Sequence, residues 1–232
     1  MLEVPIGLNL LFIFTTLVTY MMLVFAMMGV RSSKTDRSAN IIAILLLLWI
    51  IFQSTLALNM WFMDRKSLPP HMFFPLIIWL LLLTAVFTLK KPRSWSDKLN
   101  AELLTWIHIV RIPVEIGLFQ LAQEKQVPWS MTFKGFNFDL FFGITAPVVA
   151  ILFFRMKTLN STMMKIWNYA GLISVCAVVL RGIGSLPSPV QWWDFSQPNY
   201  AVMHFPFIWL PSFIVPVVIF SHIVVIRRMR RV

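Results

Sequence analysis

Cysteine is all but absent from this chain. Cys176 is the only one, and it lies inside an apolar run. A disulfide framework, a thiolate zinc cluster and a CxxC redox pair are therefore excluded within one chain. Charge is scarce as well, at 12% of residues. Catalytic signatures are missing: there is no HExxH, no GxSxG and no P-loop, which removes the zinc-protease, serine-hydrolase and nucleotide-binding patterns. Gly182-Ile183-Gly184-Ser185 approaches a glycine-serine motif but lacks the closing glycine. Span seven, defined below, holds no lysine for a retinal Schiff base, and the Asp-Arg-Tyr and Asn-Pro-x-x-Tyr signatures of seven-helix receptors do not occur.

What the chain has instead is apolar length. Hydrophobic residues make up 59% of it, with 21 Phe, 14 Met and 10 Trp, a composition of the membrane class. Seven runs approach the length needed for ~30 Å of hydrocarbon. They fall at 6–30, 40–63, 72–89, 103–123, 138–156, 164–185 and 205–226. The expected fold is all-α, a single domain over 1–232 formed by a polytopic bundle of seven transmembrane helices. The first run carries Glu3 ahead of it, no basic n-region and no small-x-small site after it, so it reads as a span and not as a cleaved signal peptide.

The net charge of +11 sits in short blocks between the runs, a layout unlike any nucleic-acid module. The blocks report topology. Arg31, Lys34, Arg37, Lys90, Lys91, Arg93, Lys98, Arg155, Lys157, Lys165, Arg227, Arg228, Arg230 and Arg231 fall on one side. Only Arg65, Lys66, Lys125 and Lys134 fall on the other. Fourteen against four puts the N-terminus outside and the C-terminus in the cytoplasm. Trp61, Trp129, Trp192, Trp193 and Tyr200 lie in the outer connections, where aromatic rings favour the headgroup level. Residues 186–200, LPSPVQWWDFSQPNY, are too polar and proline-rich to span and are expected to form an outer cap. Asn160-Ser161-Thr162 is a glycosylation sequon on the cytoplasmic side, so it is expected to stay unmodified. The arginine tail is foremost a topology anchor, with anionic lipid as a further partner. Met72–Leu80 (MFFPLIIWL) also echoes Met203–Leu210 (MHFPFIWL), a pattern that a parallel repeat would produce.

The fourth run departs from this pattern. It places His108, Arg111 and Glu115 at spacings of three and four, on one helical face. Ionisable groups at bilayer depth are expensive and mark ligand or proton sites unless they merely fix packing. Arg111 and Glu115 are expected to neutralise each other. Pro113, between them, leaves the Ile109 carbonyl without its helical donor and kinks the run. Asn59, Asn137, Asp139, Arg181, Ser185, Asp194 and His204 lie toward the outer ends of their runs and suggest a cavity open to the exterior, each with interfacial placement as the plainer reading. Arg181 either snorkels or pairs with Asp139 or Asp194. His222 lies at the depth of His108, with Gln53, Asn168 and Ser221 adding polarity on the cytoplasmic side. Pro147, Pro211 and Pro216, together with Pro206, soften spans five and seven and act as helix hinges alongside Pro113.

The leading functional expectation is an integral protein of the plasma (inner) membrane that binds or transports a small solute through a polar site on span four, with proton coupling. Glu115 is the carboxylate, Arg111 its partner and His108 a relay. The alternative is a non-catalytic subunit or assembly factor of a membrane complex, and behind it an intramembrane enzyme acting on lipid through Asp139, Glu115 or His222. No metal and no cofactor are expected. A b-type haem held by His108 and His222, or by His71 and His204, ranks last. The expected partners are the bilayer, the solute and a membrane protein or second copy, with no nucleic acid.

Overall fold

The computed structural model describes residues 4–28, 37–64, 66–135 and 137–229. Among them all regular structure is helical. Arg31, Lys34, Arg65, Arg230 and Arg231, together with Glu3 and the last two residues of the first run, lie outside the described residues. In chain order the helices are α1 (Ile6–Met28), α2 (Ser38–Leu58), α3 (Phe73–Thr88), α4 (Lys90–Ser96), α5 (Ala101–Trp106), α6 (Arg111–Gln123), α7 (Asp139–Ala150), α8 (Ser161–Gly184) and α9 (Val215–Met229).

Among the described residues, four helical stretches are long and apolar enough to cross a membrane: α1, α2, α8 and Leu210–Met229. A fifth is added if α3 and α4, bent by 90° at their junction, are one span. The expected fourth and fifth runs are helical too, but broken. A 3-10 turn at Ile107–Val110 joins α5 to α6, and α7 passes into a π-turn at Ile151–Arg155. Pro113 explains the first break. It has no N–H to offer the Ile109 carbonyl and its ring crowds that oxygen, so the chain tightens just before it.

Several boundaries differ from expectation. The second run ends as helix at Leu58, not Met63, because Met60 turns left-handed (φ 58°) and starts a short 3-10 turn. The seventh begins near Trp209, not Phe205, since residues 205–208 form turns. That difference removes the local basis for the repeat. Pro75 sits in the first turn of α3, where proline fits, while the matching Phe205–Ile208 segment is not helical. Side-chain caps define other starts: Asn100 accepts from the Leu103 amide at 3.1 Å and Asn160 from the Met163 amide at 2.8 Å.

The enclosed centre of the molecule is the stretch Leu210–Met229, which ends in α9; 67% of its apolar core is buried, against 17% for α2. Aromatic donors tie α2 and α3 to it. Trp49 Nε1 donates to the Ser212 carbonyl at 2.8 Å, Trp79 Nε1 bonds the same oxygen, and Trp209 Nε1 reaches Ser54 Oγ at 3.0 Å. At one end of the bundle the Asn100 amide bonds the Ala26 carbonyl at 3.2 Å. There Arg227 Nη2 meets both oxygens of Asp97 at 3.0 and 3.1 Å, Arg228 bonds the Leu99 carbonyl, and Arg155 pairs with Glu102 at 2.8 Å.

The opposite end carries residues 186–200, which contain no helix. The Trp192 and Trp193 amides bond the Gly184 carbonyl, and the Tyr200 amide bonds Gln126. Gln197 Nε2 donates to the Ala122 and Val127 carbonyls, and Asp194 accepts from Ser130 and Ser185. The segment is therefore fastened over the ends of α6 and α8.

Candidate polar site inside the helix bundle

Asp139 opens α7, where its charge suits the helix N-terminus. It also meets the guanidinium of Arg111, whose side chain is 3% exposed. Arg111 was expected to pair with Glu115 along its own helix. In the fold its ion-pair partner is Asp139, and Glu115 Oε1 instead accepts from Asn137 Nδ2. Asn137 spans the two acids, because its Oδ1 accepts from the Asp139 amide at 2.8 Å. Ser174 Oγ of α8 gives Asp139 a further donor at 2.6 Å.

The other end of the guanidinium faces α9. Arg111 Nη1 lies 3.2 Å from His222 Nε2, and Nη2 also bonds the Gly171 carbonyl at 3.3 Å. Arginine only donates, so His222 Nε2 must accept. Its Nδ1 then carries the proton and donates to Asn168 Oδ1 at 2.9 Å. Asn168 is oriented by its own Nδ2, which bonds the Met164 carbonyl. His108 stacks on His222 with ring centroids 3.8 Å apart and an interplanar angle of 22°. Rings in contact leave no room for a macrocycle plane between them. His71 stacks on Trp61, and His204 Nδ1 lies 3.0 Å from the Tyr200 carbonyl.

Two glycines bring the helices this close. A Cβ on Gly171 would lie 2.5 Å from His222 Cε1, and one on Gly143 would lie 2.9 Å from Ile112 Cγ1. Phe142 adds a ring face 5.1 Å from the guanidinium carbon of Arg111. His108, Arg111, Glu115, Asn168 and His222 are buried to 2% exposure or less. Most of this polarity is satisfied, as burial requires. Exceptions are concentrated in a few groups: Glu115 Oε2, Arg111 Nε and both nitrogens of His108 make no hydrogen bond among the described residues.

Six of the expected residues thus form one cluster: His108, Arg111, Glu115, Asn137, Asp139 and His222. Two do not join it. Asn59 is exposed, with Nδ2 folded back onto the Thr55 carbonyl at 2.8 Å. Arg181 lies over the Trp193 ring at 5.7 Å. Three of the prolines border breaks, Pro113 in the first turn of α6, Pro211 in a π-turn at Leu210–Ile214 and Pro216 at the start of α9, while Pro147 lies inside α7. Sequence reasoning overlooked Gly171 and Ser174. Asn168, Gly171 and Ser174 recur every third residue in an otherwise apolar helix, a small-and-polar track of the kind that lets membrane helices approach. Among the described residues no group of three or more His, Cys, Asp or Glu is placed to hold a metal ion.

No curated protein and no solved structure matches the chain. A family model does match over residues 68–230, a range that takes in α3 to α9 and every member of the polar cluster. The chain therefore belongs to the family described as Domain of unknown function (DUF8737).

Proposed function

We propose that this chain is a seven-span membrane protein that binds or transports a small cationic solute, with proton coupling, through the cluster around Arg111. Support for seven spans comes from the breaks. The interrupted segments 101–123 and 139–155 are each close to a membrane's thickness at ~1.5 Å per helical residue. Support for a cytoplasmic C-terminus comes from the gathering of Arg155, Arg227 and Arg228 at one end of the bundle. Cysteine introduced at Lys157 should resist membrane-impermeant labelling from outside the cell. Labelling there, or glycosylation of Asn160, would reverse the orientation.

One observation carries the functional reading. One guanidinium pairs with the Asp139 carboxylate, while a second buried carboxyl, Glu115, is held by Asn137, whose side chain also accepts from the Asp139 backbone amide. Buried charge in a poorly polarisable medium must be balanced. The cluster therefore has a place for one more positive charge, and the unbonded Glu115 Oε2 is where a proton or a cationic donor binds. His108, with two free nitrogens against His222, continues the path toward the basic end.

Glu115→Gln keeps the shape and the bond to Asn137 while removing the charge. It is expected to insert and fold normally yet lose ligand-induced stabilisation and coupled proton flux. The test is a thermal-shift screen of ammonium, guanidinium and inorganic cations against anions, followed by dye-monitored proton flux in proteoliposomes. Stabilisation by anions alone, or an unchanged response in Glu115→Gln, would show the reading to be wrong.

A second reading, a subunit of a membrane complex, draws on α2 and α3. Pro75 is the only buried residue described in α3, so both helices have wide apolar faces available to a partner. A stoichiometric protein co-purifying in mild detergent would favour it.

A further inference from the structure

A cavity of about 570 Å³ lies away from the Arg111 cluster, between α1, α2, α3, α4 and α9. That volume is within the ~300–1,000 Å³ of small-molecule sites. Its walls include Leu46, Trp49, Trp79, Leu83 and Phe220. The indole N–H groups of Trp49 and Trp79 are both engaged by the Ser212 carbonyl, so these side chains have no free donor to offer the cavity. Apart from Ser38 and the basic end described next, its lining is apolar or has its donors engaged, a poor match for a sugar, a nucleotide or a peptide backbone.

One boundary is different. The 90° bend between α3 and α4 brings Lys91, Pro92 and Trp95 to the cavity. Lys91 is exposed. Trp95 Nε1 is buried and makes no hydrogen bond among the described residues, although an indole N–H normally finds an acceptor. Lys90 and Arg93 stand on the same short helix, and the Asp97–Arg227 pair follows it directly. An apolar slot that ends at an ammonium, with Lys90 and Arg93 on the same short helix, has the polarity of an anionic amphiphile.

We propose that this cavity binds one acyl chain of an anionic phospholipid, with the headgroup phosphate meeting the Lys91 ammonium. The lipid would brace α3 against α9 at the basic end of the bundle. The site is separate from the solute cluster and needs only that α2 and α3 lie in a bilayer.

Native mass spectrometry of the full chain, released from micelles containing phosphatidylglycerol or phosphatidylcholine of identical chains, tests it. The expected result is one retained phosphatidylglycerol, with phosphatidylcholine held about fivefold more weakly. Lys91→Gln, at an exposed position, should weaken phosphatidylglycerol about fivefold and erase the headgroup preference. Leu46→Trp, which fills the slot, should remove both adducts while the unfolding temperature stays near that of the wild type. If Leu46→Trp fails to fold, Leu83→Phe serves the same purpose from the facing helix. Equal retention of the two lipids, a full adduct in the filled variant, or a second copy of the chain in place of lipid would each overturn the proposal.

Discussion

Arg111→Ala is expected to destabilise the folded protein by about 3–5 kcal/mol, the usual consequence of stranding a buried charge. The guanidinium bonds Asp139, the Gly171 carbonyl and His222. Alanine would leave the Asp139 carboxylate with the Ser174 hydroxyl as its remaining side-chain donor, among helices that bury it. Set against a typical total stability of ~5–15 kcal/mol, such a loss is decisive. The measurement is the thermal midpoint in detergent, followed by size-exclusion chromatography. Arg111→Lys should recover little, because a single ammonium cannot reach Asp139, Gly171 and His222 together. The informative partner is the double variant Arg111→Ala with Asp139→Ala, which removes both charges. It should be more stable than Arg111→Ala alone. If the single variant melts like the wild type, the ion pair does not hold α6 to α7.

Gly171→Ala is the second large effect, and its sign runs against helix propensity. In a helix interior alanine is better than glycine by about 1 kcal/mol. Here the new Cβ would meet His222 at 2.5 and 2.7 Å. That imidazole has little freedom to retreat, since Asn168 holds one edge, Arg111 the other and His108 covers a face. Overpacking of this kind costs about 1–3 kcal/mol net, and the displaced ring would let go of Arg111. Gly7 is the control. Nothing lies within 4 Å of a Cβ built there, so Gly7→Ala should be neutral or slightly stabilising. A Gly171→Ala protein with an unchanged or raised midpoint would mean that α8 and α9 are less tightly apposed than described.

The parts of this molecule that were legible from residues alone are those that depend on local order. The apolar runs, the basic blocks and the cost of charge in the fourth run need only hydropathy and spacing. Pro113 likewise announces a break beside Arg111. The pairing of that charge is a tertiary fact. Glu115 is four residues from Arg111 and looks like its partner on a helical wheel, whereas Asp139 lies in another segment and reaches Arg111 only when α6 packs on α7. Asn59 failed for the converse reason. A polar residue near a run's end can point either way, and this one satisfies itself on the Thr55 carbonyl. The interruption at 107–110 was signalled by Pro113, but its form, and the turn at 151–155, escaped because hydropathy is blind to whether a turn is 3-10, α or π.

The π-turn at Leu210–Ile214 has a consequence for chain length. A π-turn holds one more residue than the α-turn it replaces. Deleting one residue between 210 and 214 would heal the helix without altering its hydropathy. The healed turn closes over nearly the same angle with one residue fewer, so the helix downstream keeps its facing relative to Trp209. With Trp209 still anchored on Ser54, His222 would stay turned toward Asn168 and Arg111. The same deletion in the regular helix between Val215 and His222 would swing that imidazole by about 100° and take it out of the cluster. The π-turn is therefore the place in this last helix where one residue can be lost and the site still assemble.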